Sequence, residues 1–154
     1  MEGRLPGVRV AVFDPGGRTG YCLAHVTPDS SEILRYGHFK ESDYISELVK
    51  LADLVICEKV TVHASSHGFN TVGIEVMGVV KYFCKEYDTK LTWQNPSCMK
   101  APVAWGTVDS REFNSEHSKD AVLHLAYWLV SSGRISQVSG WRLSVVNSQL
   151  EIMN

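Results

Sequence analysis

Apolar residues come along the chain in short runs separated by polar or glycine-containing breaks. Val8, Val10 and Val12, with Ala11 and Phe13 between them, have strand character. Pro15, Gly16 and Gly17 follow and permit a tight reversal. Tyr21 to Val26 then reads as a strand that pairs back as a hairpin, and a third strand is expected over Glu32 to Lys40. Ile45, Leu48, Val49 and Leu51 have the spacing of a short amphipathic helix over Asp43 to Leu51. Leu54, Val55, Ile56 and Cys57 form a continuous apolar run, as in a strand covered on both faces. Thr71 to Tyr87 reads as a long helix with Val72, Val76, Val79, Val80 and Phe83 on one side. Gly73 and Gly78 cost helix propensity there, and close helix packing is the expected reason for them. Lys90 to Trp93 reads as another buried strand, with a short helix starting after Pro96. Trp105 to Ser115 reads as a loop. A last helix is expected from about Ser115 to Val130, with Ala121, Leu125 and Trp128 along one face and Gly133 as its stop. The tail, residues 140–154, alternates enough at Leu143 and Val145 for an added strand.

The order is three strands, helix, strand, helix, strand, helices. It predicts an α/β domain with a mixed central sheet flanked by helices, antiparallel hairpins first and crossovers later. A chain of 154 residues suits one domain with one core. Its 44% hydrophobic and 21% charged residues are those of a globular protein, not a disordered one. No apolar run reaches the roughly 18 residues of a membrane span, and MEGRLPG lacks a signal-peptide core. A cytoplasmic protein with no membrane partner is the expectation. Cys22, Cys57, Cys84 and Cys98 are widely spaced with no CxxC pair, which points to free thiols and not to a zinc or disulfide framework. Net charge is −2, from 15 Lys+Arg against 17 Asp+Glu, so there is no overall basic footprint.

Two acids change this picture. Asp14 ends the first strand and Glu58 ends the strand after the first helix. If those strands are parallel neighbours, both carboxylates leave the sheet at one edge. His117 and Asp120 lie one turn apart on the last helix and share a face. Each has a plainer reading: Asp14 as a turn former, Glu58 as a surface partner of Lys59, His117 and Asp120 as solvated helix residues. Converging carboxylates repel unless a cation joins them. Hard oxygen ligands suit magnesium or manganese. A pair of such ions stabilises the attacking and leaving oxygens of phosphoryl displacement, which makes phosphodiester hydrolysis the natural chemistry of the set.

The same residues carry a resemblance. FDPGGRTGYCLA resembles the first-strand motif of RuvC-type Holliday junction resolvases, ICEKV resembles the strand ending in their glutamate, and HSKDAVLHLA resembles their closing helix. The likeness runs over roughly Val8 to Val130, in a compact, phage-like form. It implies an RNase H-like fold for a single nuclease domain over 1–154. It also implies a homodimer that nicks four-way DNA junctions in pairs, with two Mg2+ or Mn2+ ions per active site. Asp14, Glu58, His117 and Asp120 would be the catalytic and metal-site residues, and the helix over Thr71 to Tyr87 is a candidate dimer interface. The chain departs from the pattern at Thr61, where many bacterial members place an aromatic, with His63, His67 or Phe69 as candidate substitutes. The basic run before the last helix is thin, with Arg111 and then Lys119. Both departures imply weak cut-site preference.

Among the cations, Lys100 is the first candidate for phosphate contact, because the resemblance places a lysine after this proline. Lys59 and Lys119 follow, each beside an expected metal ligand, and Arg18, Lys81, Lys85 and Arg111 complete the set. Such contacts give affinity without base information. Three other readings stay open: a nuclease of flaps, forks or RNA-containing duplexes, a branched-DNA binder without catalysis, and a nucleotide-binding domain. The last is weak, since DPGGRTG has neither the GxxxxGK[ST] nor the GxGxxG spacing.

Overall fold

The computed structural model describes residues 7–27, 31–40, 43–60, 71–98, 106–108, 116–132, 141–146 and 149–153. The chain forms β1 (Val8–Asp14), β2 (Thr19–Val26), β3 (Ser31–Phe39), α1 (Asp43–Leu51), β4 (Leu54–Glu58), α2 (Thr71–Glu86) and β5 (Lys90–Gln94). It continues with β6 (Gly106–Val108), α3 (Glu116–Ser131), β7 (Trp141–Val146) and β8 (Gln149–Met153). All strands join one sheet in the order β5-β4-β1-β2-β3-β8-β7-β6. Its first five strands, in the order 3-2-1-4-5, make the mixed sheet of an RNase H-like fold.

The hairpins expected at the start are there. β1 pairs antiparallel with β2 and β2 with β3, and a register shift at Leu23/Ala24 interrupts the second ladder. β4 then lies parallel to β1 and β5 parallel to β4, each reached through a helix. Val55, Ile56 and Cys57 are wholly buried, as a strand between two helical layers must be. On one face Val10, Val12, Ile33 and Ile56 pack against Ala121, Leu125 and Leu129 of α3. On the other, Ala11, Phe13 and Val55 pack against Ile45 and Leu48 of α1 and Val76 and Val80 of α2.

Several expectations change. Lys90 to Trp93, expected to be a buried strand, is the edge strand of the sheet, with Lys90 and Trp93 exposed. Gly106–Val108, expected within a loop, is a strand parallel to β7. Three residues are too few to show alternation, and only the partner strand reveals them. The tail holds two antiparallel strands instead of one. On α2, Val72 faces solvent, and the buried stripe is Val76, Val80 and Cys84. Gly78 is not needed for packing, since a Cβ there would meet nothing within 4 Å. Cys22, Cys57 and Cys84 are buried free thiols and Cys98 is a half-buried one. Gly133 lies outside the described residues. No helix among them is long and apolar enough to cross a membrane.

Candidate metal centre

The register of β1 against β4 decides what the two acids do. Val10 stands beside Leu54 and Phe13 beside Cys57, so the next pair in step is Asp14 and Glu58. A pair of hydrogen bonds between Arg9 and Asp53, one through the backbone and one through the Asp53 side chain, braces this register at the other end of the strands. Asp53 N–H donates to the Arg9 carbonyl at 2.8 Å, and Arg9 N–H donates to Asp53 Oδ2 at 2.9 Å. Side chains alternate across a strand. Asp14 therefore follows Val10 and Val12, and Glu58 follows Leu54 and Ile56, onto the face covered by α3. The tight turn at residues 15–18 ends β1 at that point and leaves Asp14 half-buried at the sheet edge.

From α3, His124 completes the group. Its ring is fully buried. Nε2 lies 2.7 Å from Glu58 Oε2, and Nδ1 lies 2.7 Å from Oε1 of Gln94. Gln94 ends β5 opposite Glu58, and its carbonyl accepts from Lys59 N–H at 2.7 Å. One ligand atom from each of Asp14, Glu58 and His124 lies within 4.8 Å of the others.

The electrostatics are those of like charges forced together. Burial, then a hydrogen bond to Glu58 and the charges of Glu58 and Asp120, raise Asp14 from 3.8 to about 9. Burial pushes Glu58 the same way, but hydrogen bonds from His124 and Asp14 outweigh it and hold Glu58 below its ordinary value. One carboxyl thus keeps its proton and donates to the other, the usual settlement when two acids share a site without a cation. The donor set of two carboxylates and an imidazole fits a divalent ion. Asp14, Glu58 and His124 would hold it, with Asp120 close enough for its charge to act on Asp14.

Of the residues expected from sequence, Asp14 and Glu58 come together, and half-buried Asp120 stands within electrostatic reach. His117 falls in the first turn of α3, and its side chain lies outside those described. Lys59 is exposed directly after Glu58, Arg18 is exposed in the turn after Asp14, and Lys119 is half-buried beside Asp120. Lys85 is exposed near the end of α2. That end leads into Lys90, which pairs with Leu54, so Lys85 sits at the edge of the sheet opposite Glu58. Lys100, Arg111, Thr61, His63, His67 and Phe69 lie outside the described residues. Sequence reading missed His124 and Gln94. The signal for His124 is its place one turn beyond Asp120 on the same stripe. For Gln94 it is a polar residue closing an apolar strand, as Glu58 does.

The fold is similar to that of Thermus thermophilus RuvC in complex with a Holliday junction substrate. The two are 14% identical, with a TM-score of 0.59 over 82% of this chain and 97% of that one. Thermus thermophilus RuvC without DNA gives 15% identity and a TM-score of 0.59, covering 80% and 96%. The yeast mitochondrial Holliday junction resolvase gives 11% and 0.54, covering 86% and 82%. No protein-family model and no curated protein matches the chain. At these identities the likeness is one of fold alone, an RNase H-like fold, in a chain that carries a candidate Asp/Glu/His cluster.

Proposed function

We propose that this chain is a metal-dependent, structure-selective DNA endonuclease that resolves four-way junctions by paired nicks as a homodimer. The observation that carries the reading is the meeting of Asp14, Glu58 and His124 at one sheet edge of a resolvase-like fold. Asp120, and His117 from the first turn of the same helix, complete the metal-site set, which would take two Mg2+ or Mn2+ ions. Divalent ions bound there supply the positive charge that lets a water ionise and that steadies the departing 3′ oxygen. The residues do the rest. Glu58, fixed by His124, offers its carboxylate in one orientation, and Asp14 gives up its proton as a cation enters. Lys59, Arg18 and Lys119 flank this edge and would hold phosphates, and Lys100 is the further candidate from the sequence. Lys85, at the opposite edge, would reach only DNA that wraps the domain.

The test is cleavage of a synthetic four-way junction with manganese or magnesium, beside a panel of flaps, forks and RNA–DNA duplexes. Symmetric paired nicks in the junction are expected, and Asp14→Asn or Asp120→Asn should cut at least about a hundredfold more slowly, as expected when a metal ligand is removed. Equal cleavage by Asp14→Asn overturns the reading. Preference for flaps or RNA-containing duplexes would replace the junction with another substrate. Binding without cutting would leave a branched-DNA binder. A monomer by sedimentation with full junction cleavage would remove the dimer.

A further inference from the structure

Gln94 and Glu58 are neighbours across the parallel β4–β5 pair, and His124 reaches both from α3. The ring has no solvent exposure, and Gln94 keeps 5%. All polar atoms of His124 are therefore spent inside this group. The atom of Gln94 that faces Nδ1 at 2.7 Å is its carbonyl Oε1. An amide oxygen only accepts, so Nδ1 carries a hydrogen. Nε2 is then the nitrogen presented to the carboxylates; in the metal-free chain it donates to Glu58, and a cation would take the place of that hydrogen. A histidine that ligates a metal has this arrangement: one ring nitrogen anchored through its hydrogen, the other turned to the ion.

The spacing agrees. Ligand atoms about 2.1 Å from an ion stand about 3 Å apart when adjacent and about 4 Å apart when opposed. The three ligand atoms here lie within 4.8 Å of one another, and Nε2 and Oε2 are 2.7 Å apart. Three separate elements, β1, β4 and α3, supply the ligand atoms, and β5 supplies the anchor.

We propose that Nε2 of His124 is a direct ligand of the cation held by Asp14 and Glu58, with Gln94 fixing the ring's tautomer. This nitrogen makes the site select a first-row transition ion over magnesium. The proposal deepens the metal-dependent reading above and rests on it for the cation's presence at this cluster. Magnesium takes oxygen ligands and keeps its waters, whereas imidazole binds transition ions well. A buried imidazole in the ligand set therefore shifts the balance away from magnesium.

The experiment is pulsed EPR of Mn2+ bound to the full chain, with calorimetry of Mn2+ and Mg2+ beside it. A nitrogen coupling to manganese is expected in the wild type. It should persist in His117→Ala, which removes the other histidine of α3, and should change its frequencies in Gln94→Leu. Manganese should bind at least about tenfold more tightly than magnesium. His124→Asn should abolish the coupling and weaken Mn2+ by about 10–100-fold, with Mg2+ little changed. Should that buried replacement unfold the chain, the His117→Ala and Gln94→Leu measurements decide the matter without it. No nitrogen coupling, coupling abolished in His117→Ala, or coupling untouched by Gln94→Leu overturns the proposal. Junction cleavage without nitrogen coupling sinks this assignment and leaves the nuclease reading standing. Nitrogen coupling without cleavage does the reverse.

Discussion

Asp14 and Glu58 stand level on neighbouring parallel strands with ligand atoms within 4.8 Å, and burial together with that closeness favours a proton on Asp14. The pair is stable only while something positive stands between the oxygens, either that proton or a cation. Its cost in the metal-free protein and its use in the metal-bound one are the same property.

A pH dependence follows from Asp14. Its value in the folded chain, about 9, lies above its ordinary 3.8, so between those values the native state binds the extra proton. The stability this contributes is complete below about pH 4 and is lost as pH rises through about 9. Glu58 acts in the opposite sense: lowered on folding, it contributes stability that is lost as pH falls through its folded value. Metal-free protein should therefore melt at falling temperature as pH rises from neutrality. Asp14→Asn should flatten that slope and melt about 2–4 °C higher at pH 8, the shift of roughly 1 kcal/mol in a chain of this size. Manganese should raise the melting temperature of the wild type and not of the variant. Differential scanning calorimetry at several pH values checks all three.

The exposed cations beside the acids should act through phosphates alone. Lys59→Ala and Arg18→Ala are each expected to weaken junction binding and to lower the slope of log affinity against log salt by about 0.9 for each phosphate no longer neutralised. The weakening should be alike for junctions of different sequence. Lys85→Ala, at the opposite edge, should leave the slope unchanged. Titrations at several salt concentrations measure this.

The strands were legible because their apolar runs are long and end in punctuation, as Val8 to Phe13 does before Asp14 and Pro15. The pairing of Asp14 with Glu58 was legible only as a condition. Whether β1 and β4 are parallel neighbours depends on α1 carrying the chain from β3 back past β2 and β1, and the Arg9–Asp53 clamp that sets the register joins residues far apart in the chain. His124 was hidden because a histidine among Leu123, Leu125 and Ala126 looks like part of an apolar face. Its partners come from β4 and β5, many residues away. Gly106–Val108 was hidden because so short a strand has no pattern of its own.

The seating of α3 on the sheet should be as important as the acids themselves. Leu125 and Leu129, on the helix that carries His124, are fully buried in one cluster with side chains of β1, β2, β3 and β4. Leu125→Ala should destabilise the chain by about 2–5 kcal/mol through reduced burial and a cavity. It should also weaken manganese binding at temperatures where the variant is still folded, because the helix that carries His124 and Asp120 is loosened. Urea denaturation gives the first quantity and calorimetry the second.

A second stability prediction concerns the opposite layer. Ser46 on α1 and Tyr87 after α2 are joined hydroxyl to hydroxyl at 2.9 Å, with Phe83 stacked on the Tyr87 ring and Lys50 5.6 Å above it. Tyr87→Phe removes the hydrogen bond and keeps the stacking, so a destabilisation of about 1 kcal/mol is expected with cleavage unchanged. Denaturation midpoints beside cleavage rates check it.

Anomalous scattering from a crystal grown with manganese tests the central claim most directly. The expected result is a peak within about 2.3 Å of carboxylate oxygens from both Asp14 and Glu58, at the sheet edge under the first turns of α3. A fully loaded crystal with no manganese between those two side chains, or with the ion held elsewhere on the chain, contradicts the account.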